Sequence, residues 1–306
     1  MKPVNIKTFS TTLFALFAFA GNSVLCRLAL GNGQIDATSF TIVRLVSGAL
    51  ALMAIFWIGG RVNRSNNMFS RWRVFQSIRK KWIAAVMLFV YAAGFSFAYI
   101  ALDTGVGALV LFGTVQLTMI AVSIYKQERL PCHHVAGIIL AFCGLCFLIY
   151  SQFDWRSAKL SLLGFVFMIF AGIAWGGYTL LGRGSTSPFI DTSANFMLSV
   201  FFCIPLLAVY MFLPATLSIN GFWLAVSSGV VTSAFGYAIW YVALPSLSRV
   251  QAGVVQLLVP IIAAVGGVIW VGEAITLPLI IAQIMVLGGI AMVMIKARPG
   301  AINKPQ

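Results

Sequence analysis

The stretch SFTIVRLVSGALALMAIFWIGG, residues 39–60, places one permanent cation, Arg44, inside an otherwise apolar run. A guanidinium in hydrocarbon costs at least about 2.5–3.5 kcal/mol on insertion scales, so it needs a partner, a wet cavity or a way out to the interface. Two chemistries are open to it. It can pair with an acid at a span end, where Asp36, Asp103 and Glu273 are the candidates, or it can face a cavity and attract a carboxylate. Arg27, in AGNSVLCRLAL (20–30), poses the same choice, with capping of its own helix as a third option. Among the amides within apolar runs are Asn22, Gln116 and Gln256. An amide in lipid must find another helix or a wet pocket, so each is interhelical glue or cavity lining. The aromatic residues form a further set: Tyr91, Tyr99, Trp175, Tyr178, Tyr237, Trp240 and Tyr241. Tyr99, Trp240 and Tyr241 fall near span ends and fit anchoring at the headgroup level. Trp175 and Tyr237 are too deep for that. With Tyr178 and the amides they suit a small amphipathic metabolite carrying an apolar or aromatic group. The candidate substrate pathway is therefore Asn22, Arg44, Tyr99, Gln116, Trp175, Tyr178, Tyr237 and Gln256.

Other chemistries lack their residues. An enzyme embedded in the membrane needs a Ser with a His, an H-E-x-x-H zinc pair or paired intramembrane aspartates. The two histidines, His133 and His134, adjoin one another, and no spacing completes a metal site around Cys132-His133-His134. Cys143 and Cys146 form a C-x-x-C inside an apolar helix, where thiols serve as small packing residues. No cofactor is implied. A channel would need a charged ring or a filter-like loop, and none is visible. All six acids, Asp36, Asp103, Glu128, Asp154, Asp191 and Glu273, lie at span ends or in loops. Proton-coupled carriers usually hold a titratable relay deep in the membrane, so facilitated movement or another form of coupling is expected here.

The elements that must position these residues follow from composition. The chain is 61% hydrophobic and 8% charged, against roughly 25% charged in an ordinary globular domain, which makes it an integral membrane protein. Apolar runs of about 17 residues or more read as spanning helices. Ten are expected: 8–30, 37–58, 82–102, 105–125, 133–150, 160–182, 190–213, 221–243, 249–271 and 277–295. The net charge of +14 is a topology signal and not a nucleic-acid footprint. With the N-terminus inside, sixteen Lys and Arg fall in cytoplasmic segments, from Lys2 and Lys7 through the Arg61–Lys81 stretch to Lys304. Only Arg156 and Lys159 fall outside. Both termini are expected in the cytoplasm. Lys2 and Lys7 followed by LFALF and Ala18-Phe19-Ala20 also has the outline of a cleavable signal peptide, but the apolar run continues to Leu30 and reads as the first span.

The chain also repeats itself. AYIAL (98–102) echoes WYVAL (240–244), and GALVLFGTVQLTMIAVSIYKQERL (107–130) echoes AGVVQLLVPIIAAVGGVIWVGEAI (252–275). A shift of 145 residues puts Glu128 on Glu273, and AGNSVLCRLAL pairs with WGGYTLLGRG (175–184). Two units of five spans are expected, 8–150 and 160–296. Five is odd, so the second inserts upside down relative to the first. Inverted repeats of this kind mark secondary transporters that expose a midplane site alternately to each side. Paired glycines in the second unit, such as Gly176-Gly177, Gly266-Gly267 and Gly288-Gly289, allow close helix approach.

VRLVSGAL, the two Y-x-A-L segments, KQERL, GIAWGGYTLLGR and VPIIAAVGGVIWVGEAI together resemble the ten-span, EamA-like branch of the drug/metabolite transporter superfamily. The resemblance covers about residues 10–150 and 160–296. It implies an all-α bundle of two inverted five-helix repeats around a central cavity, in the bacterial cytoplasmic membrane, exporting amino acids or other small metabolites. Drug or nucleoside-type carriage is the alternative, and monomer and homodimer both stay open. Partners are the lipid bilayer and a small-molecule substrate. Two departures stand out. Ala20-Gly21 replaces the Trp-Gly common in the first span, and Val115 replaces the proline common in the fourth, while Trp175-Gly176 and Pro260 keep both features in the second unit.

Overall fold

Lipid offers backbone groups no hydrogen bonds, so a chain of apolar runs satisfies its N–H and C=O groups within helices. The computed structural model, which describes residues 6–62, 78–125, 132–151, 158–183, 185, 187–210, 215–247 and 255–294, is helical accordingly. The first five helices are α1 (Ile6–Gly31), α2 (Ala37–Val62), α3 (Ile78–Ala98), α4 (Thr104–Tyr125) and α5 (Cys132–Ser151). After them come α6 (Ala158–Gly182), α7 (Pro188–Phe201), α8 (Cys203–Tyr210) and α9 (Ile219–Ser227). A π-helical segment, Ser228–Phe235, leads into α10 (Gly236–Ala243). The chain ends with α11 (Leu258–Gly266), a second π-helical segment at Gly267–Val271, and α12 (Leu277–Met294).

Among the described residues, seven helices are long and apolar enough to cross a membrane, and three further apolar helices, Val135–Ser151, Leu258–Val271 and Leu277–Met292, are shorter. Phe9, Phe17, Phe142, Phe170, Trp223, Trp270 and Ile284 are exposed on the outside of the bundle, as lipid-facing side chains are. The seventh apolar run is broken where the sequence suggested one helix. It divides at Phe202, three residues before Pro205, whose ring cannot follow an unbroken helical turn. The eighth and ninth runs each contain a π-helical segment. The basic stretch around Arg64–Arg73, Glu128, Asp154, Arg156 and the C-terminal basic residues lie outside the described residues.

Segments from the two ends of the sequence interleave. Helix α1 packs on α10, α11 and the first π segment; α2 packs on the same π segment and on α7; α3 lies on α6 and α7; α4 lies on α6 and α11; α12 covers α5. Small residues set these approaches. A Cβ on Gly289 would meet Gly137 O at 2.5 Å, one on Gly94 would meet Phe167 O at 2.8 Å, and one on Gly229 would run into Arg44 O and Ser47 Oγ. The Gly229 crossing matters most, because it presses α2 onto the π segment one turn from Arg44.

Hydrogen bonds tie together the ends of the helices near Arg27. The α1–α2 turn and the segment before α9 form an isolated antiparallel bridge, Ile35 opposite Leu217. Asp36 N donates to Thr216 O at 2.9 Å, and Ser218 N donates to Gln34 O at 2.8 Å. Asp36 also caps α2, its Oδ1 accepting from Ser39 N at 2.8 Å.

Candidate functional site

Arg44 sits on α2 and is fully buried, 1% exposed. Its Nε donates to Ser233 Oγ at 2.9 Å, and its Nη2 donates to Tyr237 OH at 2.6 Å and to Tyr91 OH at 3.3 Å. The guanidinium carbon lies 5.2 Å from the centre of the Tyr91 ring and 5.0 Å from that of Phe95. Nη1 is buried with no hydrogen-bond partner. Among the described residues the ion pairs are Arg27–Asp103, Arg27–Glu273 and Lys81–Asp191, so no acid accompanies Arg44. Hydrogen bonds from a charged donor contribute about 1.5–3 kcal/mol each, and a desolvated cation–π contact about 2 kcal/mol. These offset a burial cost of several kcal/mol without neutralising the charge.

Asn22 of α1 is the neighbouring polar centre. Its Nδ2 donates to Tyr91 OH at 3.2 Å, and its Oδ1 accepts from Ser228 Oγ at 2.6 Å and from Thr232 Oγ1 at 3.1 Å. Tyr237 OH is 3.1 Å from Tyr91 OH. Ser228, Thr232 and Ser233 all come from the first π segment. An α-helix would swing the last of them away from the first. A π-helix, with its i→i+5 bonding and about 80° per residue, keeps positions i, i+4 and i+5 on one side. The wider turn therefore lets one short segment hold both Asn22 and Arg44.

Aromatic rings close the group. Trp175 of α6 lies 4.8 Å from Tyr91, 4.6 Å from Tyr237 and 5.4 Å from Tyr178, centroid to centroid. Phe19 meets Trp175 edge-on at 5.4 Å and Trp240 at 5.6 Å. Gln256 Oε1 accepts from Trp175 Nε1 at 3.4 Å. Asn22, Arg44, Trp175, Tyr178, Tyr237 and Gln256 are thus linked through direct contacts into one centre, closed to solvent. Gln116 is buried on α4 and makes no hydrogen bond with the guanidinium.

Tyr99 stands apart. It is buried just past the end of α3, its hydroxyl donating to Thr104 O at 3.2 Å and its ring packed edge-on against Phe95 at 4.7 Å. Tyr99, Trp240 and Tyr241 are each 1% exposed or less, so none is a headgroup anchor. Neighbouring helices cover those span ends, which position in sequence alone does not reveal. Sequence reasoning also passed over Phe19, Phe95, Ser228, Thr232 and Ser233. The one usable signal was three hydroxyl residues at i, i+4 and i+5, which match no α-helical face.

The acids offered to Arg44 serve elsewhere. Arg27 Nε donates to Glu273 Oε1 and its Nη2 to Asp103 Oδ1, each at 3.0 Å, while Nη1 donates to Tyr99 O at 3.2 Å. Glu273 also accepts from Thr104 N, at 2.8 Å from Oε2, placing a carboxylate at the N-terminus of α4. Gly272, at φ +78, makes the turn that delivers it, and only glycine holds that backbone readily.

The sequence profile of the EamA-like transporter family matches residues 7–150 and again 162–295. An uncharacterized protein of Pseudomonas aeruginosa, PA1977, is 41% identical over 290 residues, covering 94% of each chain. An uncharacterized transporter of Archaeoglobus fulgidus is 26% identical over 68% of this chain and 74% of its own length. The uncharacterized transporter YxxF of Bacillus subtilis is 25% identical over 61% of this chain and 60% of its own. A crystal structure of a protein 20% identical to this chain superposes with a TM-score of 0.63, covering 93% of this chain and 96% of that one, and shares the fold.

Proposed function

Because this chain belongs to the EamA-like transporter family, we propose that it is a secondary carrier exporting amino acids or related small metabolites from a bacterial cell. On this reading ten spans cross the cytoplasmic membrane as two inverted five-helix repeats, 8–150 and 160–296, with both termini inside. Seven long apolar helices and three shorter ones among the described residues support that number. The repeats alternate around the centre built on Arg44, Asn22 and Trp175, with Gln256 and Gln116 lining the path and Tyr99 at its edge.

One observation carries the reading: the polar centre is assembled from both repeats at once. Asn22, Arg44 and Tyr91 come from the first, and Trp175, Ser228, Ser233 and Tyr237 from the second. Relative movement of the repeats necessarily opens or closes such a site. Its groups are sealed from solvent, as in a closed conformation lying between two accessible ones. Family membership sets the enzyme alternative aside.

The test is a growth screen in which expression protects cells from toxic levels of amino acids, related acids, nucleosides or drugs. Arg44→Ala and Trp175→Ala should each abolish protection at unchanged expression. Unchanged transport with both replaced defeats the site assignment. Accessible tags at positions 65 and 301 should label from the same side, opposite a tag at 156; labelling of 65 and 301 from opposite sides defeats the inverted-repeat arrangement.

A further inference from the structure

The centre has too many donors for its acceptors. Arg44 brings five N–H groups, and Nη1 has no partner. Tyr91 and Tyr237 share one hydrogen bond between their hydroxyls, which consumes one phenolic hydrogen and leaves the other without an acceptor. The same two oxygens already receive Nη2, and Tyr91 OH receives Asn22 Nδ2 as well. Two acceptors of the centre are committed: Asn22 Oδ1 to Ser228 and Thr232, and Gln256 Oε1 to Trp175. Buried donors left open around a fixed cation call for an anion.

The described acids are all engaged away from this centre. Asp36 caps α2, Asp103 and Glu273 hold Arg27, and Asp191 accepts from Ser185 Oγ at 2.6 Å and pairs with Lys81. The same census bears on the cation a substrate could carry. A substrate ammonium would meet no carboxylate here, would face the Arg44 charge, and would find the Tyr91 and Phe95 rings already occupied by the guanidinium.

Building on the carrier reading, we infer that the Arg44 centre binds a small organic monocarboxylate bearing an apolar or aromatic group and no charged amine. Once relative movement of the repeats opens the centre, the carboxylate takes Arg44 Nη1 and the free phenolic hydrogen of Tyr91, and the apolar part lies against Trp175, Phe19 and Tyr178. This narrows the metabolite range: an acid related to an amino acid fits better than the zwitterion itself.

Four probes share one ring and differ in charge: phenylacetate, phenylalanine, phenylacetamide and phenethylamine. Titration calorimetry on the purified full-length protein should show phenylacetate binding roughly tenfold or more tighter than the other three, since the charged pair is the stronger interaction. Equal or tighter binding of phenylalanine or phenethylamine overturns the inference, and so does absence of phenylacetate binding. Arg44→Gln should remove the preference for phenylacetate over phenylacetamide. Because that change could disturb packing, Tyr91→Phe provides a second variant, which keeps the ring and the guanidinium and removes the free phenolic hydrogen. It should weaken phenylacetate several-fold and leave phenylacetamide unchanged; equal weakening of both counts against the site. Counterflow in proteoliposomes separates the two readings. Arg44-dependent phenylacetate binding without exchange across the bilayer sinks the carrier and keeps the site, whereas phenylalanine exchange that excess phenylacetate does not inhibit sinks the site and keeps the carrier.

Discussion

Tyr91 OH is the oxygen on which three donors converge, from Asn22, Arg44 and Tyr237. Removing it strands all three in a buried setting. Tyr91→Phe should therefore cost about 1–3 kcal/mol in stability, measured by denaturation in detergent, and abolish transport. Tyr99→Phe makes the instructive contrast. It deletes a single bond to Thr104 O outside the Arg44 centre, so it should cost about 1 kcal/mol and leave substrate affinity near normal. Sequence and structure part company at these two tyrosines. Both read as aromatics within one apolar run, 82–102, and although Tyr99 falls nearer its end, nothing local says which of the two meets the cation. Which one meets the cation depends on how far α2 slides along α3, and that is set by packing between distant segments. Arg44 itself was legible as an anomaly because a lone cation in an apolar run always demands an explanation. Its partners were not legible, because hydroxyls and ring faces leave no signature as plain as an acid.

At the level of elements, the π-helical segment Ser228–Phe235 and the glycine crossing beside it hold the site in shape. A methyl on Gly229 would collide with Arg44 O and Ser47 Oγ, and a backbone carbonyl cannot step aside. Gly229→Ala should push α2 off the π segment, break the Arg44–Ser233 bond, and destabilise by about 1–3 kcal/mol. Transport should fall with it. Gly288→Ala is the control, since its Cβ would meet open space, and thermal unfolding should be unchanged. The apolar runs announced the helices, because length and hydropathy are local properties. The π segments were hidden, since inserting one residue into a helical turn changes neither. The break at Phe202 had a cue in Pro205, although a proline inside a span can equally well kink a helix as divide it.

For the molecule as a whole, the end carrying Arg27 is fastened by the Ile35–Leu217 bridge and by Glu273, which joins Arg27 to the start of α4. Ile35 and Leu217 oppose each other between two flanking backbone bonds, a pairing that sets Cα atoms about 4.5 Å apart, within disulfide range. In a background without native cysteines, Ile35→Cys with Leu217→Cys should cross-link on oxidation and stop transport, and reductant should restore it. Continued transport by the oxidised, fully cross-linked protein would show that this end never opens. The two-fold duplication was readable because copied motifs such as Y-x-A-L keep their order, whereas the contacts at this end, Ile35 with Leu217 and Arg27 with Glu273, join segments far apart in the chain. The lone charge of Arg44 carries one more consequence. A carrier that shields a monovalent anion with a stationary cation moves one negative charge per cycle across the bilayer. A cell interior negative by 100 mV would then favour expulsion by about 2.3 kcal/mol, a voltage drive that needs no proton. Efflux from vesicles should quicken under an imposed inside-negative potassium diffusion potential and slow when its sign is reversed.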